Sequence, residues 1–108
     1  MSVTEARQAA RWRVPRVVRL YAKARRITDQ SLADQLGLSR TAVRLRLSGQ
    51  TRIADDELAA LAVIFGVEPG DFFDERWDDV IGTAAQGDDV TTGNYLGFIN
   101  LAEPMLAA

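Results

Sequence analysis

Apolar positions recur at helical spacing in a series of short segments. After Pro15, the residues Val17, Val18, Tyr21 and Ala24 fall at i, i+1, i+4 and i+7, one face of a first helix. Pro15 suits the first turn of that helix, where its missing N–H costs nothing. Arg16, Arg19, Lys23 and Arg26 point away from the apolar face. Ile27 precedes Thr28 in the position of a hydrophobic staple. Thr28 is an N-cap for a second helix over about 29–36, and Asp29 complements the helix dipole in its first turn. Leu32, Ala33 and Leu36 give that helix its inner side. Gly37 ends it with the left-handed conformation favoured just past a helix end. Leu38 fills the turn, Ser39 caps a third helix over about 40–48, and Gly49 stops it in the same way. In this third helix Val43 and Leu47 are core positions, with Arg40, Arg44 and Arg46 between and around them.

A polar loop at Gln50, Thr51 and Arg52 leads to a fourth helix opened by Asp55, Asp56 and Glu57. Its apolar face is Leu58, Leu61, Ala62 and Phe65, widened by Ile64, and Gly66 closes it. A turn at residues 67–71 enters a short fifth helix with Phe72, Phe73, Trp77, Val80 and Ile81, which are core, a packing lid or a dimer surface. The pattern predicts an all-α, compact five-helix bundle over residues 14–81 with short connections. Residues 1–13 are Ala- and Arg-rich without a clear apolar face and read equally as a frayed helix or a flexible basic arm. Beyond Gly82 the chain turns Gly-, Thr- and Asp-rich and loses periodicity, then becomes apolar again at 95–106. Residues 82–108 are therefore a linker and an acidic extension with an apolar segment for docking or dimerisation, or a disordered tail.

Two short helices joined by a tight Gly-containing turn, the second carrying guanidinium groups outward, make a helix-turn-helix over 28–49. Charge strengthens this reading. The net charge is −2, but residues 1–52 carry 12 Lys/Arg against 3 Asp/Glu, and residues 53–108 carry 1 against 12. The halves thus stand at +9 and −11, and one basic half is what a polyanion needs. The chain has no Cys and no His. A disulfide framework, a Cys-based zinc site and His-based nucleophilic chemistry are all excluded. No Gly-rich phosphate loop, metal-ligand cluster or nucleophile–base pair appears, so neither an enzyme nor a cofactor is expected. No apolar run approaches the roughly 20 residues of a membrane span, and no secretory signal opens the chain, so a cytoplasmic protein without a membrane partner is expected.

The run T-x-x-x-L-A-x-x-L-G-L-S-R-T-A-V-x-x-x-L-S-G, followed by D-E-L-A-A-L-A-x-x-F-G-V-x-P-x-D-F-F, resembles the lambda-repressor-like, Xre/Cro-type helix-turn-helix family over about residues 14–74. The resemblance implies a five-helix bundle that binds operator DNA as a two-fold dimer. It implies that Arg40 and Thr41, at the start of the recognition helix, meet base edges, with Arg44 one turn further on the same face. Arg matches guanine O6 and N7 in the major groove independently of any family. Thr28 and Gln30 at the start of the second helix suit phosphate contacts. The family's loop after the third helix points to Gln50, Thr51 and Arg52 on the backbone, and Ser39 joins that set.

Three positions depart from the family pattern. Asp29 stands where many relatives carry Gln for a phosphate, and a carboxylate there would repel DNA. Arg46 stands where many bury an apolar side chain. Its packing role would pass to Leu45 or Leu47, with Arg46 snorkelling out to a phosphate. Leu45 would then occupy a position that is often polar and base-facing. In the leader, Arg7, Arg11 and Arg13 with Trp12 would follow the DNA backbone or enter a minor groove. The expected function is a sequence-specific double-stranded DNA-binding transcriptional regulator, most simply a repressor. The alternative is an antitoxin-like interaction module that grips a protein partner through residues 95–106 and autoregulates through its helix-turn-helix.

Overall fold

The computed structural model describes residues 2–85. The helices are α1 (Val3–Ala24), α2 (Asp29–Leu36), α3 (Arg40–Leu47), α4 (Asp55–Phe65) and α5 (Trp77–Ala85), with a 3₁₀ turn at Pro69–Phe73 between the last two. The described residues are all-α, with a helix-turn-helix at their centre. The acidic linker and the apolar segment at 95–106 lie outside the described residues.

The first helix departs from the sequence expectation. It begins at Val3 rather than at Pro15, so residues 3–13 continue the same helix. A capping box starts it: the Glu5 N–H donates to Ser2 Oγ at 3.1 Å, and the Ser2 N–H donates to Glu5 Oε1 at 3.4 Å. Pro15 therefore sits inside the helix, where it withholds a hydrogen bond from the carbonyl one turn earlier. Packing offsets that cost, since Arg13, Val14, Pro15, Val17 and Val18 are all buried. The helix ends without a glycine. Arg26 takes the left-handed conformation (φ 56°), and the N–H groups of Arg26 and Ile27 donate to the carbonyls of Lys23 and Ala22. That is a Schellman closure with Arg in the place Gly usually holds.

The middle of the chain follows its caps. Thr28 Oγ1 accepts from the Ser31 N–H at 3.1 Å and Ser39 Oγ from the Ala42 N–H at 3.0 Å, each opening a helix. Gly37 (φ 69°) closes α2 in the left-handed region and turns the chain sharply into α3. Leu32, Ala33 and Val43 are buried between α1, α2 and α3, with Leu36, Leu38 and Leu47 packed against them.

The other side of the core is aromatic. Tyr21 of α1 stacks on Phe65 of α4 at 5.5 Å between ring centroids and meets Phe72 and Trp77 edge-on at 5.9 and 5.5 Å. The fifth helix expected from the sequence is divided here. Phe72 anchors the 3₁₀ turn, and Trp77 opens α5 with its indole N–H donating to the Asp71 carbonyl at 2.8 Å. Phe72 and Trp77 are core, whereas Phe73 is exposed. The helix α5 continues past Gly82, where the sequence pattern predicts the linker to begin.

Two charged clamps tie the basic half to the acidic half. Arg13 is buried and bidentate on Asp78 of α5, with Nε–Oδ1 at 2.6 Å and Nη2–Oδ2 at 2.7 Å. Its Nη1 donates to the Phe73 carbonyl at 3.1 Å. Arg46 of α3 donates from Nε to Glu57 Oε1 of α4 at 2.9 Å and from Nη1 to the Ala42 carbonyl at 3.1 Å. Part of the +9/−11 split is thus consumed inside the fold.

Candidate nucleic-acid interface

The N-terminus of α2, the length of α3 and the second half of α1 converge on one open cleft of about 630 Å³. Thr28, Asp29 and Gln30 form one wall, Arg40 and Arg44 another, and Arg19 and Lys23 of α1 a third. Four cations and one carboxylate line the cleft, so its field is positive and attracts an anion. Arg40 follows the Ser39 cap at the first position of α3, and Arg44 lies one turn later, which puts both on the same side of the helix.

Arg40 is exposed and makes no side-chain hydrogen bond or ion pair among the described residues. Thr41 is exposed beside it but does not line the cleft. Arg44 is exposed, and its Nε lies 3.5 Å from Asp29 Oδ2. Thr28 and Ser39 use their hydroxyl oxygens as caps, which leaves each hydroxyl hydrogen as a donor. Gln30 donates to Asp34 Oδ1 at 3.0 Å, so its amide is engaged along α2.

The loop residues stand apart from this cleft. Thr51 and Arg52 line a second groove of about 430 Å³ with Arg7 and Arg11 of α1. Gln50 is exposed in the loop between. A third groove bridges the two others: it shares Arg11 and Gly49 with the second and Arg19 and Ser48 with the first. Trp12 and Arg16 line it, the guanidinium 5.3 Å above the indole. A basic track therefore runs from Arg7 along α1 to Arg44.

Two residues expected to contact DNA are held in ion pairs within the fold. Arg46 does not reach the surface as a free cation. Its side chain is 20% exposed and that of Glu57 16%, and the pair joins α3 to the start of α4. The Arg46 hydrogen bond, aided by the Ala54 N–H and against the effect of burial, holds the Glu57 carboxyl below the usual carboxylate range. Arg13 is likewise inside the fold, with its side chain 7% exposed on Asp78. Its helical register differs from that of Arg7 and Arg11, which remain exposed. Leu47 takes the packing role in α3, and Leu45 is exposed on its surface.

Arg19 and Lys23 are the residues the sequence reading missed. They fall off the apolar face of α1 at i, i+4, a signal that says they are outside the core but not which surface they join. That is decided by how α1 crosses α3.

Two capped helices at a glycine turn, with a cationic second helix on a basic face, define a helix-turn-helix DNA-binding domain. The family model for the Cro/C1-type HTH DNA-binding domain matches residues 18–74, more than half of the chain, and the protein belongs to that family. No curated protein and no solved structure matches the chain. No helix among the described residues is long and apolar enough to cross a membrane.

Proposed function

We propose that the protein is a sequence-specific transcriptional regulator of the repressor type, reading double-stranded operator DNA with α3 in the major groove. The observation that carries this reading is the shared cleft of Arg40, Arg44, Arg19 and Lys23 with the N-terminus of α2. Arg40, Thr41 and Arg44 read base edges; an Arg fork on guanine contributes roughly 1–3 kcal/mol of discrimination. Thr28, Gln30, Ser39, Gln50, Thr51 and Arg52 hold the phosphates on either side, and Arg7 and Arg11 extend the backbone track along α1. Bound at a promoter, the protein blocks access to it. A two-fold dimer sets its recognition helices about 34–36 Å apart on one face of the duplex.

The test is selection of bound sequences from random duplex DNA, with the mass of the protein measured free and bound. A palindromic motif and a dimer mass are expected. Arg40→Ala should lose preference at one position per half-site. Binding with no preferred sequence would overturn the reading.

A further inference from the structure

One carboxylate lines the cleft beside the recognition helix. Asp29 opens α2, and its Oδ2 lies 3.5 Å from Arg44 Nε across the cleft. A fixed negative charge beside the path of a polyanion weakens binding at every sequence, because it repels phosphate wherever the protein lands. Helix capping does not account for it, since Thr28 already satisfies the Ser31 N–H. Its favourable interaction with the α2 dipole is available to an acidic residue anywhere in the first turn.

The geometry of the contact suggests what offsets the repulsion. The nearest approach of Asp29 is to Nε, the inner edge of the guanidinium, as an exposed ion pair and not a hydrogen bond. Nη1 and Nη2 of Arg44 make no hydrogen bond among the described residues. Two parallel N–H donors are what guanine O6 and N7 accept. A long Arg side chain loses rotamer freedom when it docks, and a contact that holds it beforehand lowers that loss. Arg40, one turn earlier, has no such carboxylate among the described residues and serves as an internal comparison.

We propose that Asp29 is a positioning residue: it holds Arg44 by Nε with the outer edge presented to one base pair, and so exchanges overall affinity for discrimination at that position. This rests on the reading of α3 as the recognition helix. It also accounts for Asp29 where a neutral side chain would suit a phosphate better.

The pair is 58% exposed on the Arg44 side and 40% on the Asp29 side, so it contributes little to folding and Asp29→Asn should fold normally. The test measures binding preferences of the wild type, Asp29→Asn, Arg44→Ala and the double variant by selection from random duplexes, with thermal unfolding alongside. Arg44→Ala should erase one base preference, worth roughly 5- to 150-fold. Asp29→Asn should reduce that same preference severalfold, leave the Arg40 position unchanged and tighten binding to unrelated sequence. In the Arg44→Ala background, Asp29→Asn should alter no base preference. Uniform tightening with every preference intact overturns the proposal and leaves Asp29 as a repulsive charge only. An Arg44→Ala variant that selects the wild-type motif overturns it by removing Arg44 from base reading. A wild type with no preferred sequence overturns the recognition-helix reading instead.

Discussion

Replacing Arg46 separates two roles that a basic residue on a recognition helix can play. In the structure Arg46 is a clamp, and Arg46→Met removes the guanidinium while keeping most of the stem. The charge-assisted hydrogen bond to Glu57 at 2.9 Å and the bond to the Ala42 carbonyl are both lost. A hydrogen bond to a charged group contributes about 1.5–3 kcal/mol, and partial solvent access lowers that figure. Glu57 keeps its bond from the Ala54 N–H at 2.9 Å, so its carboxylate is not stranded. The expected loss is about 1–2 kcal/mol, read as a fall in Tm of roughly 5–15 °C for a domain of this size. DNA binding should respond differently. Each phosphate neutralised by a cation adds about 0.9 to the slope of log affinity against log salt. Arg46 faces Glu57 and not the cleft, so the slope of Arg46→Met should equal that of the wild type. The assay is fluorescence anisotropy with a selected duplex across a salt series, well below both melting temperatures. A slope reduced by about 0.9 with Tm unchanged would refute the clamp and restore Arg46 as a phosphate ligand.

The Arg13–Asp78 clamp should be asymmetric. Asp78→Ala leaves a guanidinium that is 7% exposed without its carboxylate and should cost about 3 kcal/mol, whereas in Arg13→Met the 36% exposed Asp78 rehydrates and the loss should be about 1–2 kcal/mol. Urea denaturation of both variants checks the order; the reverse order would mean that packing of the Arg13 stem matters more than the pair. Acid should weaken the second clamp. Glu57 is held below its ordinary value of 4.5, so its contribution is complete above about that pH and is lost as pH falls through the lower folded-state value. The stability gap between wild type and Glu57→Gln, measured by urea denaturation, should be widest near neutrality and close on acidification below pH 4.5; a gap constant with pH would show that this carboxylate is not selectively stabilised.

The helix-turn-helix was legible because its signals are local. Thr28, Ser39 and Gly37 act on backbone groups within a few residues, and Leu32, Ala33 and Val43 reveal their burial by spacing alone. The start of α1 is also written locally, in the Ser2–Glu5 capping box, but Pro15 and the apolar periodicity after it offer a competing start. Its end was not written in the usual way, because Arg26 occupies the left-handed position that a glycine would have announced.

Charge is where the chain alone was least informative. Composition set a +9 half against a −11 half, and periodicity placed the arginines outside the apolar stripe. Neither decides which cations face solvent and which meet a carboxylate. Arg13 and Asp78 are separated by 65 residues, and Arg46 and Glu57 by 11 across a loop. Pairings at such separations follow from how helices cross, and the crossing follows from packing around Tyr21, Phe65, Phe72 and Trp77. The same packing brought Arg19 and Lys23 beside Arg40 and Arg44 and set Asp29 against Arg44. Local chemistry, legible in the sequence, determined the helices, their caps and the family. Only the tertiary structure decided which basic residues are held in ion pairs inside the fold and which stay exposed, because a guanidinium's partners are set by what the fold places within about 4 Å of it.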